Sequence, residues 1–119
     1  MKSNPTQPTP LKPYKSPIAW LGGKSKLAAT IVARIPEHTV YCEPFCGAAW
    51  VLFRKPPSKV EILNDINSDL VTFYRCVKHH RQALLDEIAW LLVARDEFDR
   101  CMATPANVLT DIQRAARFY

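Results

Sequence analysis

The sequence predicts an α/β fold whose short parallel strands alternate with helices, followed by an all-helical region. Two observations predict the α/β part: an apolar run ends at Glu43-Pro44, and a second ends at Asn64-Asp65, with a glycine turn and a short helix between them. A strand–helix–strand unit of this kind sets its strands parallel and adjacent. From Ser68 onward, apolar residues recur at helical spacing instead.

Composition is that of an ordinary globular protein with one domain at most. The 119 residues are 48% hydrophobic and 23% charged. The formal charge of +5 suits a polyanionic partner, although many small basic domains bind no nucleic acid. No window approaches the roughly 18 apolar residues of a membrane span, and the amino terminus lacks the apolar core of a signal peptide. We therefore expect a cytoplasmic protein.

The four cysteines indicate reduced thiols. None forms a Cys-x-x-Cys pair, and Cys76 with His79 and His80 lacks a fourth ligand at metal spacing. Thiols packed as small hydrophobic side chains are the simpler expectation, and no metal is predicted.

Residues 1–17 are predicted to be an extended, flexible tail, because they hold five of the ten prolines and three lysines. A helix over 24–35 follows and ends at Pro36. Its apolar residues lie at helical spacing: Leu27, Ala28, Ile31, Val32 and Ile35.

A second interpretation of this region is a phosphate-binding loop, since Gly22-Gly23-Lys24-Ser25 resembles the end of a P-loop. That motif needs a glycine where this sequence has Ile18, so a nucleotide hydrolase is the weaker interpretation. Lys24 suits a smaller anion, such as an amino acid carboxylate, near a helix N-terminus. Alternatively, it is a surface lysine on the first helical turn.

The first strand is predicted over Thr39–Cys42 as a short buried strand that Pro44 ends. Gly47 permits a tight turn, and a short helix follows over 48–54. Lys55-Pro56-Pro57-Ser58 breaks that helix and leads into the second strand, which starts at Val60.

The carboxyl ends of the two strands should place Glu43 and Asp65 beside one crevice, where open α/β sheets bind ligands. Asp65 follows Gly47 by 18 residues, close to the roughly 20-residue offset at which an acid meets a ribose hydroxyl. The alternative is an Asx turn at a helix start, which fits Asn67 better than Asp65.

The helical region from Ser68 carries several apolar stripes, which are most simply core. Phe98 and Met102 indicate a short helix, and Thr104 is a possible N-cap for a last helix that starts at Pro105. That helix reaches Tyr119 without a glycine, asparagine or proline to stop it.

Three motifs stand in order along the chain: Trp20-Leu21-Gly22-Gly23-Lys24, Glu43-Pro44-Phe45-Cys46-Gly47, and Asn64-Asp65-Ile66-Asn67-Ser68-Asp69-Leu70. Together they resemble the amino-terminal part of DNA adenine-N6 methyltransferases of the D12 class, in particular the Dam-like branch of bacteria and phages. The resemblance covers roughly residues 17–119 and is firmest to about residue 78.

The resemblance implies a partial Rossmann-like sheet that binds S-adenosylmethionine, and a helical region that begins the DNA-recognition domain. It implies that Trp20, Lys24 and Asp65 contact the cofactor. It also implies that four residues shape the cofactor pocket: Glu43, Pro44, Phe45 and Gly47. Without the resemblance, packing in the core between helix and sheet remains an alternative role for Trp20. Many relatives have a second glycine where this chain has Ala49, from which we expect a minor change in the turn.

Relatives also carry an Asp-Pro-Pro-Tyr motif that clamps the flipped adenine, whereas the Pro-Pro pair here follows Lys55 in a loop. No catalytic residue is therefore assigned. Two strands cannot bury both faces of a parallel sheet. We expect an amino-terminal fragment, inactive alone, of an enzyme that acts on double-stranded DNA. A second polypeptide could carry the missing catalytic half.

The predicted organisation is a tail over 1–17, a partial cofactor-binding α/β domain over 18–67, and a truncated helical region over 68–119. Two further classes of function stay open. One is a non-catalytic module that binds S-adenosylmethionine or DNA. The other is a decayed prophage remnant without a present function.

Overall fold

A computed structural model describes residues 14–119; most of the predicted tail, with Lys2 and Lys12, lies outside the described residues. The chain divides after Leu63 into two compact units. The first unit contains α1 (Ala28–Val32), β1 (Val40–Glu43), α2 (Trp50–Arg54) and β2 (Val60–Leu63). The second contains α3 (Ser68–His79), α4 (Arg81–Ala89), α5 (Arg95–Ala103), a 3-10 helix (Ala106–Val108) and α6 (Asp111–Phe118).

The two strands pair in parallel, as the strand–helix–strand pattern predicts. The register sets Val40 opposite Val60 and Glu43 opposite Leu63. Because successive side chains of a strand point to opposite faces, each face takes two residues from each strand. One face carries Tyr41, Glu43, Glu61 and Leu63; the other, here called the apolar sheet face, carries Val40, Cys42, Val60 and Ile62.

The apolar sheet face is largely exposed, so the prediction of a buried first strand is wrong. Val40 is 54% exposed, Val60 44% and Ile62 46%. Apolar residues on both sides of a strand are typical of parallel sheets that are covered on both faces. In the described part of the chain, contacts from α2 and from Lys55 reach the other face instead.

Both helices of the first unit are shorter than predicted. The α-helical stretch of α1 covers only residues 28–32, although the N–H of Ala28 already bonds to Lys24 O at 2.8 Å. Helix α2 starts at Trp50 rather than at residue 48, because Ala49 has φ 49° and ψ 35° and cannot continue a right-handed helix. Tyr14 belongs to this unit, since its N–H bonds to Phe53 O at 2.9 Å.

The core of the second unit lies where α3 packs on α6 and α4. Helix α3 starts at Ser68 as predicted, and Asn67 caps it through bonds from the N–H groups of Asp69 and Leu70. An ion pair of 2.6 Å joins Asp69 to Arg114 of α6. The buried apolar residues are Leu70, Phe73, Cys76, Leu84, Ala115 and Ala116. Burial, with the charge of Asp111, raises the pKa of the Cys76 thiol.

The predictions for α5 and the last helix need correction. Phe98 and Met102 lie on a helix, but they are 56% and 73% exposed and are not core. Thr104 does not cap the last helix; its Oγ1 donates to Arg100 O at 2.7 Å, at the end of α5. The last α-helix begins after Thr110, which forms a capping box with Gln113.

The described residues give two further results. All four cysteines are free, with Cys46 and Cys76 buried, as expected for packed thiols, but Cys42 exposed. Within residues 14–119, no helix combines the length and the hydropathy that crossing a bilayer requires.

Candidate functional site

The first loop of the candidate site is a tight turn at residues 20–23. The N–H of Gly23 donates to Trp20 O at 3.0 Å, which closes the turn. Gly22 has φ +74°, close to the value of about +80° that the third residue of a type II turn requires. A Cβ at Gly22 would meet no atom within 4 Å. The turn therefore presents open backbone at its tip.

The second loop follows β1 and reverses the chain before α2. The N–H of Ala49 donates to Cys46 O at 2.8 Å, and Gly47 has φ +50°. Ala49, at φ 49°, is also left-handed although it carries a Cβ. This conformation costs an alanine about 1–2 kcal/mol. Glycine would adopt this conformation without that cost.

Two tryptophans pack against glycines of the two loops: Trp20 of the first loop lies against Gly47 of the second, and Trp50, the first residue of α2, lies against Gly23 of the first. A Cβ built on Gly47 would lie 3.1 Å from Cδ1 of Trp20, and one built on Gly23 would lie 3.4 Å from Cδ1 of Trp50. Each indole thus packs where the other loop has no side chain. Trp20 remains half-buried, so part of its ring is accessible. The sequence did not indicate a role for Trp50, because this contact joins distant segments.

Glu43 holds the second loop in place. Its side chain is buried, and Oε1 accepts bonds from Leu52 N at 2.8 Å and from the hydroxyl of Tyr41 at 3.0 Å. Leu52 is the third residue of α2, so the carboxylate caps this helix from the end of the strand. Glu43 is therefore a structural residue of the second loop, and its role in shaping a cofactor pocket stays a prediction.

The other predicted residues of the first unit are exposed. Lys24, Pro44 and Phe45 all reach solvent, with Phe45 79% exposed. An exposed ammonium group and two accessible aromatic rings suit a ligand that has both a flat ring and a negative charge. The residues of this loop pair are thus suited to binding.

Asp65 lies in the second unit. Its Oδ1 accepts a bond from Asn67 N at 3.1 Å, so the Asx-turn interpretation holds for Asp65 as well as for the capping residue Asn67. A crevice shared by Glu43 and Asp65 stays a prediction.

Replacing Gly47 with alanine should be more costly than the same change at Gly22. In both variants a left-handed alanine lowers the free energy of unfolding by about 1 kcal/mol or more. Only the Gly47 variant also displaces the Trp20 indole. Urea denaturation measures both losses. In a background with Trp50 and Trp90 replaced by phenylalanine, Trp20 fluorescence should shift for Gly47→Ala and not for Gly22→Ala. Equal losses and an unchanged spectrum would contradict the packing described here.

Sequence comparison assigns nearly the whole chain to one family. The family model of the D12 class N6 adenine-specific DNA methyltransferases matches residues 20–119. This chain belongs to the D12 class. The match confirms the resemblance that the three motifs suggest, and both loops of the candidate site lie in the matched region.

Curated proteins similar to this chain come from an archaeon, bacteria and a phage. The type II methyltransferase M.MjaIII of Methanocaldococcus jannaschii is 35% identical over 97 residues, 74% of this chain and 32% of that protein. The DNA adenine methylase of Vibrio cholerae is 36% identical over 77 residues, which are 65% of this chain and 27% of that protein. The DNA N-6-adenine-methyltransferase of Escherichia phage P1 is 28% identical over 114 residues, which are 87% of this chain and 14% of that protein. The chain thus spans about a third or less of these relatives.

Proposed function

We propose that this chain is the S-adenosylmethionine-binding part of an enzyme that methylates N6 of adenine in double-stranded DNA. The observation that carries the proposal is the loop pair at residues 20–24 and 43–49, in which the Trp20 ring packs on Gly47 beyond the carboxyl end of β1. Ligands of open α/β sheets bind at that end of the strands.

The described residues fit such a cofactor. Open backbone at Gly22 allows close approach of a ligand, and the exposed ammonium group of Lys24 suits the carboxylate of the methionine part. Trp20 and Phe45 offer aromatic surface for an adenine ring. When bound, S-adenosylmethionine supplies an activated methyl group. The chain's own residues bind and orient it.

Under this proposal the assigned residues have distinct tasks. Trp20, Lys24 and Asp65 contact the cofactor, whereas Glu43, Pro44, Phe45 and Gly47 shape the pocket. The capping bond from Leu52 N to Glu43 supports a positioning role for Glu43. Its carboxylate fixes the start of α2, and thereby the turn that contains Gly47.

The exposed apolar sheet face supports a larger, Rossmann-like sheet in the complete enzyme, because parallel sheets are normally covered on both faces. We propose that further parts of the enzyme, in the same or in a second polypeptide, supply this cover together with the catalytic Asp-Pro-Pro-Tyr motif. Residues 68–119 would then begin the DNA-recognition domain, and the net charge of +5 favours the approach of DNA.

Calorimetric titration of S-adenosylmethionine into the chain tests the cofactor role. We expect Asp65→Ala to weaken binding by more than about tenfold, or roughly 1.4 kcal/mol, because a carboxylate that accepts hydrogen bonds from the ligand is lost. Asp65→Asn keeps an oxygen that can accept from Asn67 N, so it separates the loss of charge from the loss of the Asx turn. Asp99→Ala, at an exposed position of α5, is the matched control.

The possible results have clear meanings. Weaker binding in both Asp65 variants, with Asp99→Ala unchanged, supports a direct contact with the ligand. Weaker binding in Asp65→Ala alone would assign Asp65 to the turn and remove it from the proposed contacts. Tight ATP binding without S-adenosylmethionine binding would favour a nucleotide hydrolase and contradict the proposal.

A further inference from the structure

A second cluster of polar side chains lies at the opposite end of the sheet, in the loops that precede β1 and β2. His38 comes two residues before β1 and Ser58 two residues before β2. Nε2 of His38 lies 2.7 Å from Oγ of Ser58, and Nδ1 of the same ring lies 2.8 Å from the backbone oxygen of Pro36. The Ser58 hydroxyl, the His38 imidazole and the backbone oxygen of Pro36 thus form a chain of hydrogen bonds in that order.

The backbone oxygen of Pro36 fixes the state of the imidazole. A carbonyl oxygen only accepts, so Nδ1 of His38 carries a hydrogen and donates to it. In the neutral ring Nε2 is then an acceptor, and it takes the hydrogen of the Ser58 hydroxyl. This is the arrangement by which an imidazole activates a serine as a nucleophile, with a third group holding the base in its tautomer.

A buried cation completes the cluster. Lys55 is 7% exposed, and its Nζ donates to Ser58 Oγ at 2.6 Å, to Glu61 Oε1 at 2.5 Å and to Pro56 O at 3.0 Å. The ammonium group stabilises negative charge at the serine oxygen more effectively where water is scarce. Although burial alone would raise it, the pKa of Glu61 is lowered by hydrogen bonds from Lys55 and from Ser58 N, so this carboxylate keeps Lys55 in place.

The cluster is accessible from solvent. It borders an open pocket of about 570 Å³, His38 is exposed and Ser58 is half-buried. Apolar side chains of Val32 and Ile35 form part of the same pocket. A small apolar group can therefore lie against these side chains while a carbonyl carbon meets Ser58 Oγ.

We propose that Ser58 is an activated nucleophile that accepts a short acyl group from an ester. Oγ of Ser58 attacks the carbonyl carbon while its hydrogen passes to Nε2 of His38, and the ammonium group of Lys55, which donates to Ser58 Oγ at 2.6 Å, stabilises the negative charge on that oxygen as its hydrogen departs. The bond from the carbonyl carbon to the alcohol oxygen then breaks, and the alcohol leaves with the proton from His38. The products are an O-acyl Ser58 and a free alcohol, so no further reactant is needed.

This activity is independent of the proposed methyltransferase function, since the cluster lies at the amino end of the strands and Glu43 ends β1 at the other. The competing role is a clamp that joins the starts of two parallel strands. A clamp needs the same hydrogen bonds but no reactivity. Chemical modification therefore separates the two roles.

The test is acetylation by p-nitrophenyl acetate, followed by peptide mass spectrometry of the full chain. We expect the acetyl group on Ser58 of the unmodified sequence. Ser58→Ala should remove this adduct, and His38→Gln, which retains a hydrogen-bonding side chain without a base, should slow its formation at least about tenfold. Ser68→Ala, at an exposed serine at the start of α3, should leave the rate unchanged.

The site of the adduct in the unmodified chain decides the matter without relying on a variant that could unfold. Acetyl groups on lysines alone, with Ser58 unmodified, would overturn the proposal and assign the cluster to the clamp. An adduct on Ser58 that forms equally fast in His38→Gln would also overturn it, because the imidazole would then not act as the base.

Discussion

Phe73→Ala should destabilise the second unit by about 3–5 kcal/mol, the usual cost of removing a buried phenylalanine. Phe73 is 1% exposed. Its ring lies 5.9 Å from that of Phe118 and 6.3 Å from that of Tyr119, stacked on the latter at 14°. Truncation therefore removes buried area and also two aromatic contacts between α3 and the end of the chain. A loss of this size is large for a unit of 56 residues (64–119).

Urea denaturation followed by circular dichroism measures the change. The matched control is Phe98→Ala, because Phe98 is 56% exposed on α5 and should cost no more than about 0.5 kcal/mol. Phe73→Leu keeps most of the buried volume and should fall between the two. Similar losses for the alanine variants at 73 and 98 would contradict the described core.

Glu43→Ala should destabilise the first unit by about 2–4 kcal/mol. The helix cap contributes about 1 kcal/mol, and a hydroxyl left without its acceptor in a partly buried place costs about 1–3 kcal/mol. Both groups, Leu52 N and the hydroxyl of Tyr41, bond to the same Oε1. Glu43→Gln keeps an acceptor oxygen and should lose less, chiefly the interaction of a negative charge with the helix N-terminus.

Two local measurements distinguish this effect from general loosening. Hydrogen exchange at Leu52 should accelerate in Glu43→Ala but not in Glu37→Ala, which alters an exposed carboxylate.

Burial raises the pKa of Tyr41, and the hydrogen bond to Glu43 and its charge raise it further. Ultraviolet titration should therefore show the Tyr41 pKa falling when Glu43 is removed, since a nearby carboxylate no longer opposes the phenolate. An unchanged tyrosine titration would contradict this contact.

The parts of the fold that sequence predicts well depend on local rules. Pro44 has no N–H to donate to a ladder and directly follows the last residue of β1, and a short helical crossover sets the strands parallel. Asn67 caps α3 through residues two and three positions away. The Thr110–Gln113 capping box was also readable, and choosing Thr104 instead displaced the start of the last helix. The exposure of Phe98 was not readable, because a helical stripe has the same spacing whether or not another element covers it.

For the candidate site, the motifs single out residues, whereas the contacts between those residues come only from the structure. The motifs identify Glu43 and Gly47, but the bond from Leu52 to Glu43 and the packing of Trp20 on Gly47 join segments that sequence spacing does not connect. Ala49 shows the same limit. Its left-handed backbone is set by the surrounding turn against the preference of alanine, so the residue alone predicts helix.

The apolar sheet face also has a consequence for the behaviour of the chain in crowded solution. Within residues 14–119 each strand pairs on one side only, so unpaired N–H and C=O groups border a surface of valine and isoleucine. Such an edge is a template for strands of other molecules, and it promotes aggregation unless it is covered or charged. Lys59 and Glu61 place charge on β2 and beside its start, whereas β1 carries Val40 and Cys42 without a lysine. Intermolecular strand addition is therefore expected to start at β1.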